Sequence, residues 1–190
     1  MTKAPWKVYT RKGDDGTTGL FHGGRVGKDA PGPAAYGDVD EAVSALGLAR
    51  ALTEAGTELY ELLLRLQREL FVAGAELATE PAKRDRLERG VSRVTPEMVT
   101  ALEPVIDDVT TRFDPPQEFV LPGENELAAA LDLARAVVRR AERQAVAARA
   151  GGWLDDSQVV PYLNRLADLV YTLARWQEHG FRPVRTDGRN

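Results

Sequence analysis

Arg139-Arg140-Ala141-Glu142-Arg143 places three arginines within five residues, inside a run from Ala128 to Val146 whose apolar spacing is helical. A helix advances about 100° per residue, so Arg135, Arg139 and Arg143 drift only about 40° per step and form one cationic stripe. Beside it runs an apolar stripe of Leu127, Leu131, Ala134, Val138 and Ala141. A solvated helix face ordinarily mixes charge signs at such positions. A single-sign ladder flanking a core stripe suits an anion, and the planar guanidinium fork suits phosphate best. The same arginines would also serve a surface face paired with Glu142 and nearby acids.

A second constellation lies near the amino terminus: Tyr9-Thr10-Arg11-Lys12-Gly13-Asp14-Asp15-Gly16-Thr17-Thr18-Gly19. Glycines let backbone amides approach a ligand closely, and exposed amides bind phosphate oxygens. Threonine hydroxyls add donors, and Asp14 is placed to position a cation or a water. The other reading is a flexible leader. Gly23 to Lys28 comes near a Walker phosphate loop, but its first glycine is one place too close, Asp29 stands where Ser or Thr is needed, and no strand precedes it. A third constellation, Asn164 with Asp168, shares one helix face beside Leu163 and Leu166. It is either a buried network fixing helix register or part of a polar site between helices. A triphosphate carries about four negative charges, and several charge-assisted bonds of roughly 1.5–3 kcal/mol each would hold it. The loop and the arginine ladder together therefore point to a nucleotide.

These side chains need rigid elements. After a glycine-dense leader, residues 1–35, the chain reads as helical almost to its end. A first helix is expected to start at Asp38, with Asp38 and Glu41 at capping-box spacing and Val39, Val43 and Leu46 facing inward. A second is expected from Thr57 to Ala78, where Leu59, Leu63, Leu66, Leu70, Ala73 and Leu77 alternate steps of four and three. Residues 79–94 are polar and read as a surface loop. A third helix begins near Thr95 with Pro96 in its first turn and Met98, Leu102, Val105 and Val109 along it. Pro104 should kink or interrupt it, and Asp114-Pro115-Pro116 ends it. The fourth covers Glu126 to Ala150, stopped by Gly151-Gly152. The fifth covers Asp156 to Glu178, with Val159, Leu163, Leu166, Val170 and Leu173 inward and Gly180 after it. No strand-like alternation lasts more than a few residues. The expected fold is all-α: a five-helix up-down bundle of the four-helix-bundle, ferritin-like type, with an irregular Gly-rich leader. One domain is expected over 1–190, divided into a nucleotide-binding loop (1–35), the bundle (36–180) and a tail (181–190).

Composition narrows the chemistry. The net charge of −4 argues against binding nucleic acid through a basic surface, although residues 1–30 hold a local excess of three positive charges from Lys3, Lys7, Arg11, Lys12, Arg25 and Lys28. With no cysteine, thiol catalysis, disulfides and cysteine-ligated metals are excluded. His22 and His179 are too few for a multi-histidine metal site, so no protein-held metal is expected. No apolar run approaches the ~20 residues of a membrane span, and a cytoplasmic location is expected.

Tyr9-Thr10-Arg11, Gly13-Asp14, Gly16-Thr17-Thr18, Gly24-Arg25, Lys28-Asp29, Tyr36-Gly37 and Val39-Asp40-Glu41 occur in order. Phe119-Val120-Leu121-Pro122-Gly123, Ala134-Arg135, Arg139 to Arg143 and Tyr162-Leu163-Asn164-Arg165-Leu166 with Asp168 follow. This series resembles the pattern of the ATP:cob(I)alamin adenosyltransferases of the propanediol-utilisation type. The resemblance implies a homotrimer of five-helix subunits with sites between neighbours. It also implies transfer of the 5′-deoxyadenosyl group of ATP to reduced cobalamin with release of triphosphate. The nucleophile is then the corrinoid's cobalt(I), so the protein supplies positioning and electrostatics. Thr10, Arg11, Lys12, Gly13, Thr17, Thr18, Gly19, Arg25 and Lys28 fall where the family binds the polyphosphate and wraps the nucleotide. Arg139, Arg140, Glu142, Arg143 and Asn164 fall on nucleotide-contacting positions, with Arg139 and Arg143 facing the developing triphosphate charge. Arg135 matches an arginine that pairs with an aspartate of the adjacent subunit, at the position of Asp40. Phe119 stands where an aromatic side chain displaces the lower axial ligand of cobalamin. Magnesium bridges phosphates. A reductase and an adenosylcobalamin-dependent mutase are candidate partners.

The chain departs from that pattern at Asp15, where lysine is common, at Gly19 for serine, at Asp132 for histidine, and at Glu124-Asn125 after Gly123. Asp38 replaces threonine, a neutral exchange between helix caps. Asp15 and Asp132 are expected to weaken ATP affinity or shift metal dependence. Two other functions compete: a carrier or sensor that holds ATP or adenosylcobalamin without turnover, and a bundle whose arginines serve only an oligomer interface.

Overall fold

The computed structural model describes residues 7–185; Lys3 of the basic leader and residues 186–190 of the expected tail lie outside it. The leader folds into a short antiparallel hairpin, β1 (Thr17–Gly19) against β2 (Arg25–Gly27), with Thr18 opposite Val26. Its tip docks on the bundle: the Phe21 amide donates to the Ala78 carbonyl and the Glu80 amide to the His22 carbonyl, both at 2.8 Å.

Helix α1 spans Pro31–Ala51, seven residues earlier than the capping-box spacing predicts. The prolines at 31 and 33 occupy the first turn, where a missing N–H costs nothing, and the extended Ala30 precedes them. Asp38 is therefore no cap; it lies inside the helix, and its carboxylate is 3.5 Å from Arg140. Close packing holds the early start. A Cβ on Gly32 would sit 2.2 Å from the Trp153 indole, whose N–H donates to the Leu77 carbonyl at 2.8 Å.

Helix α2 (Glu58–Leu77) is capped by the Thr57 hydroxyl, and all six residues of its expected seam are buried. Residues 79–94 contain a 3-10 turn, Pro81–Arg86, and are tied down by the buried Glu76 carboxylate. That carboxylate accepts from the Val94 amide at 2.7 Å and pairs with Arg84. The third helix is broken into α3 (Pro96–Thr100) and α4 (Glu103–Thr110). The break at Ala101-Leu102 leaves Pro104 in the first turn of α4, where it removes no internal bond. After the two-residue β3 (Val120–Leu121), α5 runs Glu126–Ala150 with Asn125 as its cap. Then α6 runs Val159–Gln177, and β4 (Arg182–Pro183) returns antiparallel to β3.

Five helices, one of them interrupted, build the bundle. Central α5 lies between α1 and α6, α1 carries α2, and α4 covers α6. The Tyr162 hydroxyl donates to Glu69 at 2.9 Å and joins α6 to α2. Burial and the adjacent carboxylate hold that phenol well above its ordinary pKa. The expected inward residues of α6 are all buried, as are Leu131, Ala134, Val138 and Ala141 of α5. Among the described residues no helix is long and apolar enough to cross a membrane.

Candidate active site

The cationic stripe of α5 divides into three environments. Arg139 and Arg143 are exposed, and no described carboxylate lies within ion-pair distance of either. The Arg143 guanidinium donates to the Arg139 carbonyl at 3.0 Å. With Glu142, Val146 and Asn164 they line an open pocket of about 300 Å³. The Asn164 amide donates to Glu142 at 3.0 Å, joining α6 to α5 across the pocket. Asn164 and Asp168 are both exposed, so the register-fixing alternative fails; Asp168 faces Arg165 at 3.6 Å, outside the pocket.

Arg140, one step round the helix, turns to α1 and pairs with Glu41 and Asp38. Those carboxylates, Glu41 first, raise its pKa. Arg135 bonds Asp132 of its own helix at 3.0 Å rather than continuing the stripe. Asp132 is buried and also pairs with Arg175, which lies 3.1 Å from the buried Glu178. Neither Arg175 nor Glu178 was singled out in the sequence. Their only signal there is a charged residue adjoining an apolar seam, and the partner that explains it lies 43 residues away on another helix.

The glycine-rich loop is ordered by its own side chains. Arg25 donates to the Thr17 hydroxyl at 2.7 Å, to the Thr17 carbonyl at 3.2 Å and to the Lys12 carbonyl. The Lys28 amide donates to the Gly16 carbonyl at 2.9 Å, and the Lys28 ammonium lies over Gly13. Gly16, at φ +80°, makes the turn, and Arg11 adopts φ +60°, a conformation that costs a non-glycine residue energy. Asp15 accepts from the Thr17 amide at 2.9 Å and the Thr17 hydroxyl at 2.8 Å, and faces Arg25 at 3.7 Å. Those two bonds, then Arg25, hold its carboxyl below the usual range. Thr10, Lys12, Asp14 and Gly19 are exposed around this turn, and Thr18 sits in β1. Within one chain no described hydrogen bond or ion pair links this loop to Arg139 or Arg143.

Two further features stand apart. Asp40 is exposed on the rim of an apolar pocket of about 360 Å³ lined by Phe21, Tyr36 and Phe71. Phe119 is 89% exposed at the start of β3, with its carbonyl accepting from the Val184 amide at 2.8 Å.

The profile of the family described as "Cobalamin adenosyltransferase" matches residues 8–177. A corrinoid adenosyltransferase of Citrobacter freundii is 42% identical over 173 residues, covering 91% of this chain and 96% of that one. One from Mycobacterium tuberculosis is 41% identical over 171 residues, covering 89% and 87%. The chain belongs to the cobalamin adenosyltransferase family. Among solved structures, it is similar to a PduO-type ATP:corrinoid adenosyltransferase from Lactobacillus reuteri, a phenylalanine-to-alanine variant complexed with cobalamin and ATP. The TM-score is 0.81 at 32% identity, over 95% of this chain and all of that one. An arginine-to-lysine variant of the same type, complexed with ATP, superimposes with a TM-score of 0.79.

Proposed function

We propose that this cobalamin adenosyltransferase family member transfers the 5′-deoxyadenosyl group of ATP to the cobalt(I) of a reduced corrinoid and releases triphosphate. Cobalt(I) contributes the electron pair of the new Co–C bond, and the C5′–O bond of ATP breaks with its electrons leaving on triphosphate. The protein needs no nucleophile; it needs fixed cations where that charge develops. The observation that carries this reading is the pair Arg139 and Arg143, with no described carboxylate within ion-pair distance of either, in the pocket they share with Asn164 and Glu142.

In this reading Thr10, Arg11, Lys12, Gly13, Thr17, Thr18, Gly19, Arg25 and Lys28 wrap the nucleotide. Arg25 acts largely by shaping the loop, since its guanidinium bonds Lys12 and Thr17. Arg140 supports the site through α1 rather than by touching ATP. Among the described residues no group of three carboxylate or histidine side chains forms a metal cage. A magnesium ion would accordingly be carried by the phosphates, with Asp14 an exposed carboxylate of the loop. It would neutralise phosphate charge.

The loop and the arginine pair come from different subunits of a homotrimer, which supplies the contact that one chain lacks. Arg135 reaches Asp40 of the neighbouring subunit while keeping Asp132 behind it, and Phe119 meets the lower face of the corrinoid. Residues 1–190 act as one domain in the cytoplasm, with a reductase upstream and an adenosylcobalamin-dependent mutase downstream. The test is anaerobic: chemically reduced cobalamin, ATP and magnesium should give the adenosylcobalamin spectrum and one triphosphate per cobalt. Bound ligand without triphosphate would replace the transferase with a carrier.

A further inference from the structure

We propose that the buried Asp132–Arg175–Glu178 ion cluster is a positioning device for Phe119; this rests on the corrinoid-facing role given to Phe119 above. The Phe119 ring is almost wholly exposed, so side-chain packing does not fix it. Its place is set by the backbone. The hydrogen bonds and ion pairs described for residues 119–124 come from residues 182–184: Val184 to Phe119, Arg182 opposite Leu121, Pro183 opposite Val120, and Arg182 with Glu124 at 3.1 Å. Two-residue strands and an exposed ion pair hold a loop weakly. The register of β4 therefore depends on where α6 releases the chain.

That point is anchored in the interior. Glu178 follows the last residue of α6, and its carboxylate is fully buried against Arg175, itself 1% exposed. Arg175 also pairs with Asp132 of α5, and Asp132 accepts from Arg135. Two buried carboxylates between two guanidiniums make a charge-balanced joint among α5, α6 and the departing strand. Neither oxygen of Glu178 has an aligned hydrogen-bond donor, so charge alone holds it. From Glu178 the chain turns at Gly180, φ +152°, straight into β4. The Asn125 side chain donates to the Gln177 carbonyl at 2.8 Å, fastening the far end of the Phe119 loop to the same spot.

Glu178→Gln and Asp132→Asn keep the shape and remove charge. In the full-length enzyme each should speed amide exchange at Val184 at least tenfold. Glu178→Gln should also raise KM for reduced corrinoid fivefold or more and leave KM for ATP within twofold; Asp132→Asn, which also loosens Arg135, is read by Val184 exchange alone. Gly180→Ala, which strains the turn without touching the cluster, should give the same split and serves if the charge variants do not fold. Unchanged Val184 exchange in the variants that fold overturns the proposal, and so does an equal rise in both KM values. If the unaltered protein makes no adenosylcobalamin, the transferase reading fails on its own, and Val184 exchange then decides whether the cluster anchors the strand.

Discussion

Arg139 and Arg140 are neighbours in sequence with different duties. Arg140 is clasped by Asp38 and Glu41, whereas Arg139 has no described carboxylate within reach and opens on the pocket. A charge-assisted bond contributes roughly 1.5–3 kcal/mol, which corresponds to a rate loss of about 10- to 150-fold when it acts on the departing phosphate. Arg139→Ala should therefore lower kcat by about that factor in the cob(I)alamin assay. Its melting temperature should move by less than about 2 °C, since no described fold contact is lost. Arg140→Ala should do the reverse: a small loss of stability from a half-exposed clasp, read by denaturant unfolding, with KM for ATP little changed. The arginine ladder was legible in the sequence because charge type and helical spacing are local properties. Its division was not, because one helical step decides whether a guanidinium meets α1, its own helix or solvent. Arg175 and Glu178 stayed hidden for the same reason: burial of a charge is decided by a distant partner.

Helices α2 and α5 were readable to within a residue at each end and α6 to within three, since unbroken apolar seams carry them. The start of α1 was not. Asp38 offered a good local cap, and the competing signal, Gly32 seated under Trp153, is a tertiary contact. Gly32→Ala should consequently cost about 1–3 kcal/mol in urea unfolding, because the indole must shift out of a packed site and stretch its bond to Leu77. At the other end of the bundle, Arg112 grips Glu58 through two bonds of 2.8 Å, tying the end of α4 to the start of α2. That bond, more than direct charge attraction, holds the Glu58 carboxyl below the usual glutamate range. A lowered pKa gives stability that is present above the ordinary range and is lost as pH falls through the lowered value. The stability difference between the unaltered protein and Glu58→Gln should thus be flat near neutrality, at most about 1 kcal/mol because the pair is largely exposed. It should fade in acid melts as the pH falls from the ordinary glutamate range through the lowered value.

At the scale of the molecule, no described bond joins the loop to the arginine pair within one chain, and the proposed site is shared between neighbours. Sedimentation equilibrium should give three times the 20.8 kDa chain mass. Asp40→Ala should lower activity together with that assembly while the helical signal in circular dichroism persists. A stable, active monomer would remove the shared site. The contact between Trp153 and Gly32 has one more consequence. It lies where α1 begins, just after the hairpin of the nucleotide loop, and its N–H is bonded rather than solvated. The chain has three tryptophans, Trp6, Trp153 and Trp176. With the other two changed to phenylalanine, the emission colour of Trp153 becomes a built-in optical gauge of how tightly the leader sits, readable in real time as ATP is added and with no attached dye.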